Sequence, residues 1–455
     1  MATTETTITP KTVPLVETKY RKIATAIPAP GSIPVLEALY RDEPRSMRGQ
    51  PPVLWDKAEG FQVYDAYGNK WMDWSSGVLV ANAGHGRPEI VEAICNQAKH
   101  ELIHNYCFPS AVRARLVNRL SELAPKGLDK VFLLTTGGET TECAIKLART
   151  YGQSVGGKKK IALVSFEGAF HGRTLGAQQI GGIPALKEWI VNLDPDFVQV
   201  PFPDGWRNTD VSFESFLKVL EAKGFGPDRI AGVITETYQG GTCAFWPVEY
   251  AKKMRDWCTK HDIVLAMDEV QAGFGRTGKM WGFEHLGITP DVFCCGKGIT
   301  SGLPLSAVIG RAELMDQYPP GSMTSTHTGN PVCAAAALAN LDIIEKEGLV
   351  GKAAKVGAVL GMELAKVKSS RPDVCGALFG KGMVYGLHIV KPGTTEPDAA
   401  RANAIVDACI GKGLLMFHPV GTGGNVVKIA PPLITPEDAV KEGVAVLAEA
   451  IAEVK

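Results

Sequence analysis

Two residues define the chemistry this chain can do. Lys297 stands between Gly296 and Gly298, directly after the apolar run Val292-Phe-Cys-Cys295, and Asp268 follows the apolar run 263–267. A short β-forming run stopped by glycine predicts a buried strand. A lysine at the carboxyl end of such a strand lies where open α/β sheets hold ligands, and lysine is rarely buried without a reason. Its amine is suited to a Schiff base with a carbonyl cofactor; a solvated loop lysine is the plain alternative. A carboxylate ending an apolar strand is costly without a partner. A protonated ring nitrogen is one such partner, and keeping it charged makes the ring an electron sink. A helix N-cap or a buried ion pair is the alternative for Asp268.

Other strand ends add to the inventory. After 131–136 come Gly137-Gly138-Glu139, opening a helix. Two glycines there let backbone amides approach an anion, and the helix N-terminus favours it; the pair lacks the lysine of a P-loop and the spaced glycines of a dinucleotide fingerprint. After 161–165 the loop 166–174 carries Phe170, His171 and Arg173. Phe170 suits stacking on a flat ring, and Arg173 suits a two-pronged grip on a substrate carboxylate; a core phenylalanine and a surface arginine read equally well. Glu236 ends the run 230–235, and Thr326, in the hydroxyl-rich loop 322–330, is a potential phosphate donor or a plain surface residue. A phosphate seat, a stacking aromatic, a carboxylate and a lysine at the ends of strands suit a phosphorylated aromatic aldehyde held by a lysine.

The elements that position these residues follow from patterning. Apolar runs at 131–134, 161–165, 230–235, 263–267, 292–295 and 306–309 alternate with helical stretches. That predicts an α/β fold with a mostly parallel sheet sandwiched by helices. A hairpin is expected over 60–74, helices over 88–104, 111–123 and 331–347, and further helices over 351–366, 397–411 and 436–454 with strands at 383–389 and 426–429. The expected organisation is an N-terminal arm and joining segment (1–75), a large domain (76–345) and a small α+β domain from the C-terminus (346–455), completed by the N-terminal segment. Residues 1 to about 30 read as a tail or an arm lying on a partner surface.

The totals restrict the function. The 455 residues are 45% hydrophobic and 21% charged, with 48 Lys+Arg against 48 Asp+Glu. A neutral balance argues against nucleic acid or an anionic membrane as partner. No apolar stretch approaches bilayer-spanning length, and the first residues lack the basic and apolar regions of a secretory signal. The 10 cysteines are scattered without metal-type spacing, so no metal site is expected. Free thiols and a cytoplasmic location are the expectation.

The sequence resembles the class III (ω-amino acid) aminotransferases of the pyridoxal phosphate fold type I group, from about Gly60 to Leu433. The residues that carry the likeness are Trp71-Met-Asp-Trp-Ser-Ser-Gly77, Gly84-His85, the turn 136–139, Phe170-His-Gly-Arg173, Asp268-Glu-Val-Gln271 with 273–278, Lys297-Gly298, Thr326 with Gly329-Asn-Pro331, and Pro431-Pro-Leu433. The resemblance implies pyridoxal 5'-phosphate as cofactor, bound to Lys297 as a Schiff base. Asp268 would pair with the pyridine nitrogen and Gln271 would lie near the ring hydroxyl. Phe170 would stack on the ring, with His171 beside it in the cofactor group. Gly137 and Gly138 would bind phosphate, and Thr326 would reach the phosphate of a neighbouring subunit in a homodimer, or in a tetramer built from it. The implied reaction moves an amino group from an ω-amino acid or primary amine to pyruvate or 2-oxoglutarate; racemases, decarboxylases and phospho-lyases share the motifs. Arg173, Glu236, Lys428 and Trp74 are the expected substrate residues; Trp74, with Tyr106-Cys-Phe108, suggests an aromatic-lined amine pocket, which core packing explains equally well. Two departures stand out. Lys428 replaces the arginine many members carry before Pro-Leu, and the usual Glu-Pro-x-Gln is Glu236-Thr-Tyr-Gln239. Lysine keeps the charge but not the planar fork, which favours pyruvate at least equally with 2-oxoglutarate.

Overall fold

A computed structural model describes residues 7–454; residues 1–6 of the expected N-terminal tail lie outside the described residues. The chain divides into two compact units, one of residues 88–350 and the other of the flanking segments up to 87 and from 351.

The unit 88–350 is built on a seven-stranded sheet. Its strands are β1 (Lys130–Leu134), β2 (Ala162–Phe166), β3 (Phe197–Val200), β4 (Ile230–Glu236), β5 (Val264–Asp268), β6 (Val292–Cys295) and β7 (Ser306–Gly310), in the spatial order β1-β7-β6-β5-β4-β2-β3. Only β7 runs against its neighbours, so the carboxyl ends of the other six open on one edge. Every residue of β4 and β5 is buried, because a parallel sheet is covered on both faces and its strands read as continuous apolar runs. Six of the seven strands coincide with the runs read from the sequence. The seventh, β3, is a four-residue edge strand that is only half buried, too short and too mixed to stand out.

Helix α1 (Gly137–Gly156) lies on one face of this sheet. Its Ala144, Leu147, Ala148 and Tyr151 pack with Ile234, Val264, Ala266, Val292 and Val308. Leu147 is fully buried, and its truncation to alanine would cost about 2–5 kcal/mol. Helix α2 (Pro331–Lys346) is capped by Asn330, whose side chain accepts from the amides of Val332 and Cys333. Its proline at the first position costs no hydrogen bond there.

The other unit holds a six-stranded sheet that includes the hairpin strands Gln62–Tyr64 and Lys70–Asp73, a three-stranded antiparallel sheet (Cys375–Lys381, Val384–Ile389, Val426–Ile429), and the helices Leu349–Ser370, Ala399–Gly411 and Glu437–Glu453. Residues 76–87 are tied into it by hydrogen bonds from Ser76 Oγ to the Ala430 carbonyl and from the Leu433 amide to the Asn82 carbonyl. Two motif fragments distant in sequence meet here. Asp73 Oδ2 lies 2.7 Å from His85 Nε2, while Asp73 Oδ1 accepts from the amides of Ser75 and Ser76 and from the Ser75 hydroxyl. These bonds hold a left-handed turn in which Ser76, Gly77, Val78 and Leu79 all have φ between +50° and +65°. Side chains adopt that region only when neighbours enforce it.

Candidate active site

The carboxyl edge of the seven-stranded sheet surrounds a cavity of about 210 Å³. Gly137, Gly138, Phe170, His171, Glu236, Asp268, Gln271 and Lys297 all line it. They arrive from the ends of five strands, β1, β2, β4, β5 and β6, or from the segments that follow them. Asp268 and Glu236 are the last residues of β5 and β4 and sit side by side in register. Lys297 follows β6 across Gly296.

The first residues of α1 form the cavity's small-residue wall. Thr136 caps the helix in a capping box: the Glu139 amide donates to Thr136 Oγ1, and the Thr136 amide donates to Glu139 Oε2. That leaves the amides of Gly137 and Gly138 at the positive end of the helix dipole, a ready seat for an anion. Space here is tight, since a Cβ on Gly137 would sit 2.8 Å from Val270 Cγ1.

Asp268 is 7% exposed. Its Oδ1 accepts from the Val270 amide at 3.0 Å, and its Oδ2 lies 2.8 Å from His171 Nδ1. Burial alone would lower the His171 imidazole; the hydrogen bond and charge of Asp268, with the charge of Glu236, outweigh it and hold the imidazole above its ordinary value. The Thr141 hydroxyl donates to the His171 carbonyl and fixes the loop. His171 Nε2 is buried without a hydrogen-bond partner among the described residues, a polar atom left for whatever fills the cavity.

Glu236 is buried, and desolvation pushes its carboxyl up to about 7, against the opposing charge of His171 and with the like charge of Asp268. It accepts from the amides of Gly240 at 2.8 Å and Phe170 at 3.1 Å, so it also anchors the loop bearing Phe170. Glu269, next to Asp268, points elsewhere: it accepts from the Thr237 hydroxyl and from the amides of Gly282 and Phe283.

Four expected residues lie outside the cavity lining. Arg173 is exposed, its guanidinium 5.7 Å from the Phe170 ring centroid; Gly172 turns the chain at φ +126° just before it. Thr326 is exposed on the loop preceding α2. Trp74 and Lys428 belong to the other unit. Trp74 is fully buried there, and a Cβ on Gly443 would lie 2.2 Å from its ring, so its surroundings are those of a packed core side chain. Lys428 is 2% exposed on the strand Val426–Ile429, opposite Gly386. Sequence reasoning missed Val270, Ala272 and Tyr238, which also line the cavity. The first two flank Gln271, and their neighbourhood was the available signal.

The fold and the cavity define an α/β enzyme of the kind that works on a ligand at the carboxyl ends of a parallel sheet. The family model of the class III aminotransferases matches residues 45–451. The chain belongs to that family, and it is a pyridoxal phosphate-dependent aminotransferase. It is 32% identical over 448 residues to a 4-aminobutyrate aminotransferase of Mycobacterium leprae, covering 95% of this chain and 98% of that protein. It is 35% identical to an isoleucine 2-epimerase of Lentilactobacillus buchneri, over 88% of this chain and 90% of that one. A crystal structure of a transaminase from the marine bacterium Virgibacillus superposes with a TM-score of 0.84 at 28% identity, over 92% of this chain and 99% of that one.

Proposed function

We propose that this aminotransferase takes its amino group from an ω-amino acid or a primary amine and passes it to pyruvate or 2-oxoglutarate. The observation that carries the reading is the convergence of Lys297, Asp268 with His171, and the Gly137-Gly138 helix start on one cavity. The residues present fit pyridoxal phosphate: an amine for its aldehyde, a carboxylate for its ring nitrogen, a dipole-favoured amide pair for its phosphate, and Phe170 for its ring face.

Bound there, the cofactor supplies an aldehyde for the incoming amine and a ring that stabilises negative charge at the neighbouring carbon. The protein does the rest. Lys297 Nζ would hold the aldehyde and yield it to the substrate amine, and the freed amine would then take the proton from the substrate carbon and deliver it to the cofactor's carbon. Asp268 keeps the ring nitrogen protonated, and His171 keeps Asp268 oriented. Gln271, on the cavity wall, would lie near the ring hydroxyl. Glu236, at the cavity wall, is the expected substrate residue that the cavity supports, whereas Arg173, Lys428 and Trp74 do not line it. By the family resemblance, Thr326, exposed on its loop, would reach the phosphate of a neighbouring subunit in a homodimer. None of the ten cysteines is in a disulfide among the described residues, which supports a reducing, cytoplasmic setting. Among the described residues no helix is long and apolar enough to cross a membrane.

A panel of amines offered without keto acid tests the reading. Conversion of the visible band to the amine form of the cofactor supports transamination. A second reading, racemisation, is favoured by the match to the epimerase; deuterium wash-in at the substrate carbon with no change of cofactor form would favour it instead.

A further inference from the structure

Lys297 sits in an unusual piece of backbone. Its φ is +45°, and that of Ser301 is +54°, a region that side-chain-bearing residues hold only when their surroundings enforce it. Within the turn itself, the Ile299 amide donates to the Gly296 carbonyl at 3.1 Å. The Thr300 hydroxyl donates to the Leu303 carbonyl and accepts from the Gly302 amide, and a further restraint comes from α2. Asn340, in its interior, is fully buried. Its Nδ2 donates to the carbonyls of Gly298 at 2.9 Å and Ile299 at 3.0 Å, and its Oδ1 accepts from the Ser301 hydroxyl at 2.6 Å. Two carbonyls on one side and a hydroxyl on the other leave only one way for the amide to face.

The sequence around Asn340 makes the placement pointed. Ala334, Ala336, Ala337, Leu341 and Ile344 are its buried helix neighbours. Asparagine is a poorer helix former than alanine or leucine, and a buried amide is costly unless its hydrogen bonds are made. An apolar residue would serve the packing equally well. The polar atoms are what the position uses, and all three bonds go to the residues that follow Lys297.

We infer that Asn340 is a positioning residue for Lys297: its amide clamps the turn 298–301 to α2 and so fixes the lysine's backbone, with Ser301 holding the amide in orientation. This rests on Lys297 being the reacting lysine. A clamp of this kind serves the proton transfers, which depend on sub-ångström placement, and leaves substrate affinity alone.

The test compares wild type with Asn340→Ala and Ser301→Ala. In the cofactor-free protein, hydrogen exchange of the amides at 297–303 speeds up at least about tenfold in N340A, with the β5 and β6 amides unchanged. In the loaded protein, kcat falls by roughly 10- to 100-fold, the range set by displacing a reacting group by up to an ångström, while KM for the amine holds. The pH midpoint of the visible absorbance band, which reports the lysine linkage, shifts. S301A shows the same signs at smaller size, and it decides the matter alone if N340A does not fold. Variants that lose only melting temperature, with wild-type kcat, exchange and band midpoint, overturn the inference. Borohydride labelling of the wild type separates the two claims. No label at Lys297 removes the proposed function, whereas a label there with unaffected variants removes only the clamp.

Discussion

His171 Nδ1 lies 2.8 Å from Asp268 Oδ2, both groups at the cavity wall and both shielded from water. Asp268 is therefore held by a main-chain amide on one oxygen and an imidazole on the other. A carboxylate so fixed presents its charge in one direction, which is what electrostatic stabilisation of a bound ring requires.

The pair makes stability depend on pH. The folded-state pKa of His171 is raised by Asp268, so its contribution is complete below the ordinary histidine value of about 6.5 and is lost as pH rises through the raised folded value. His171→Ala should therefore cost the cofactor-free protein more at pH 6 than at pH 9. At pH 6 the loss should be about 1.5–3 kcal/mol, the worth of a hydrogen bond to a charged group. Urea unfolding at the two pH values checks this; an equal loss at both contradicts it.

Glu236 gives a second slope. Burial raises its folded-state carboxyl to about 7, so the native state binds the proton more tightly than the unfolded chain. Its contribution is complete below about 4.5 and is lost between about pH 4.5 and 7. Glu236→Gln should flatten the fall in stability over that window, as read by thermal melts of the cofactor-free protein. An unchanged slope would place the titrating group elsewhere.

Gly137→Ala introduces a Cβ 2.8 Å from Val270 Cγ1. Overpacking of this kind typically costs about 1–3 kcal/mol, and the displaced helix start should weaken cofactor binding. Adding Val270→Ala should restore both melting temperature and binding. If the double variant is as impaired as the single, the contact is not the cause.

These positions also show how far the sequence could be read. The parallel sheet was legible because β4, β5 and β6 are continuous apolar runs, and the site residues were legible because Asp268 and Lys297 break those runs with charge. The edge strand β3 was not, since its four residues carry no such pattern. Arg173 and Trp74 were read as substrate residues from side-chain type and the family resemblance. Their exposure and burial are set by the turn at Gly172 and by packing against Gly443, which are tertiary facts. Asn340 left a trace, a lone amide in an apolar helix, but its partners lie some forty residues away in the chain.

We propose that Lys428 stands where the resemblance places the usual arginine, without that residue's planar fork. Pyruvate should equal or outperform 2-oxoglutarate as acceptor, and Lys428→Arg should raise kcat/KM for 2-oxoglutarate selectively. A strong wild-type preference for 2-oxoglutarate refutes this assignment.

The central claim is that Lys297 is the residue to which the cofactor is bound and through which protons move. Reduction of the loaded protein with borohydride, followed by peptide mapping, tests it most directly. The account predicts a single pyridoxyl group on the peptide containing Lys297, and none on that peptide in Lys297→Ala. A label on another lysine, or full turnover in Lys297→Ala, would contradict it.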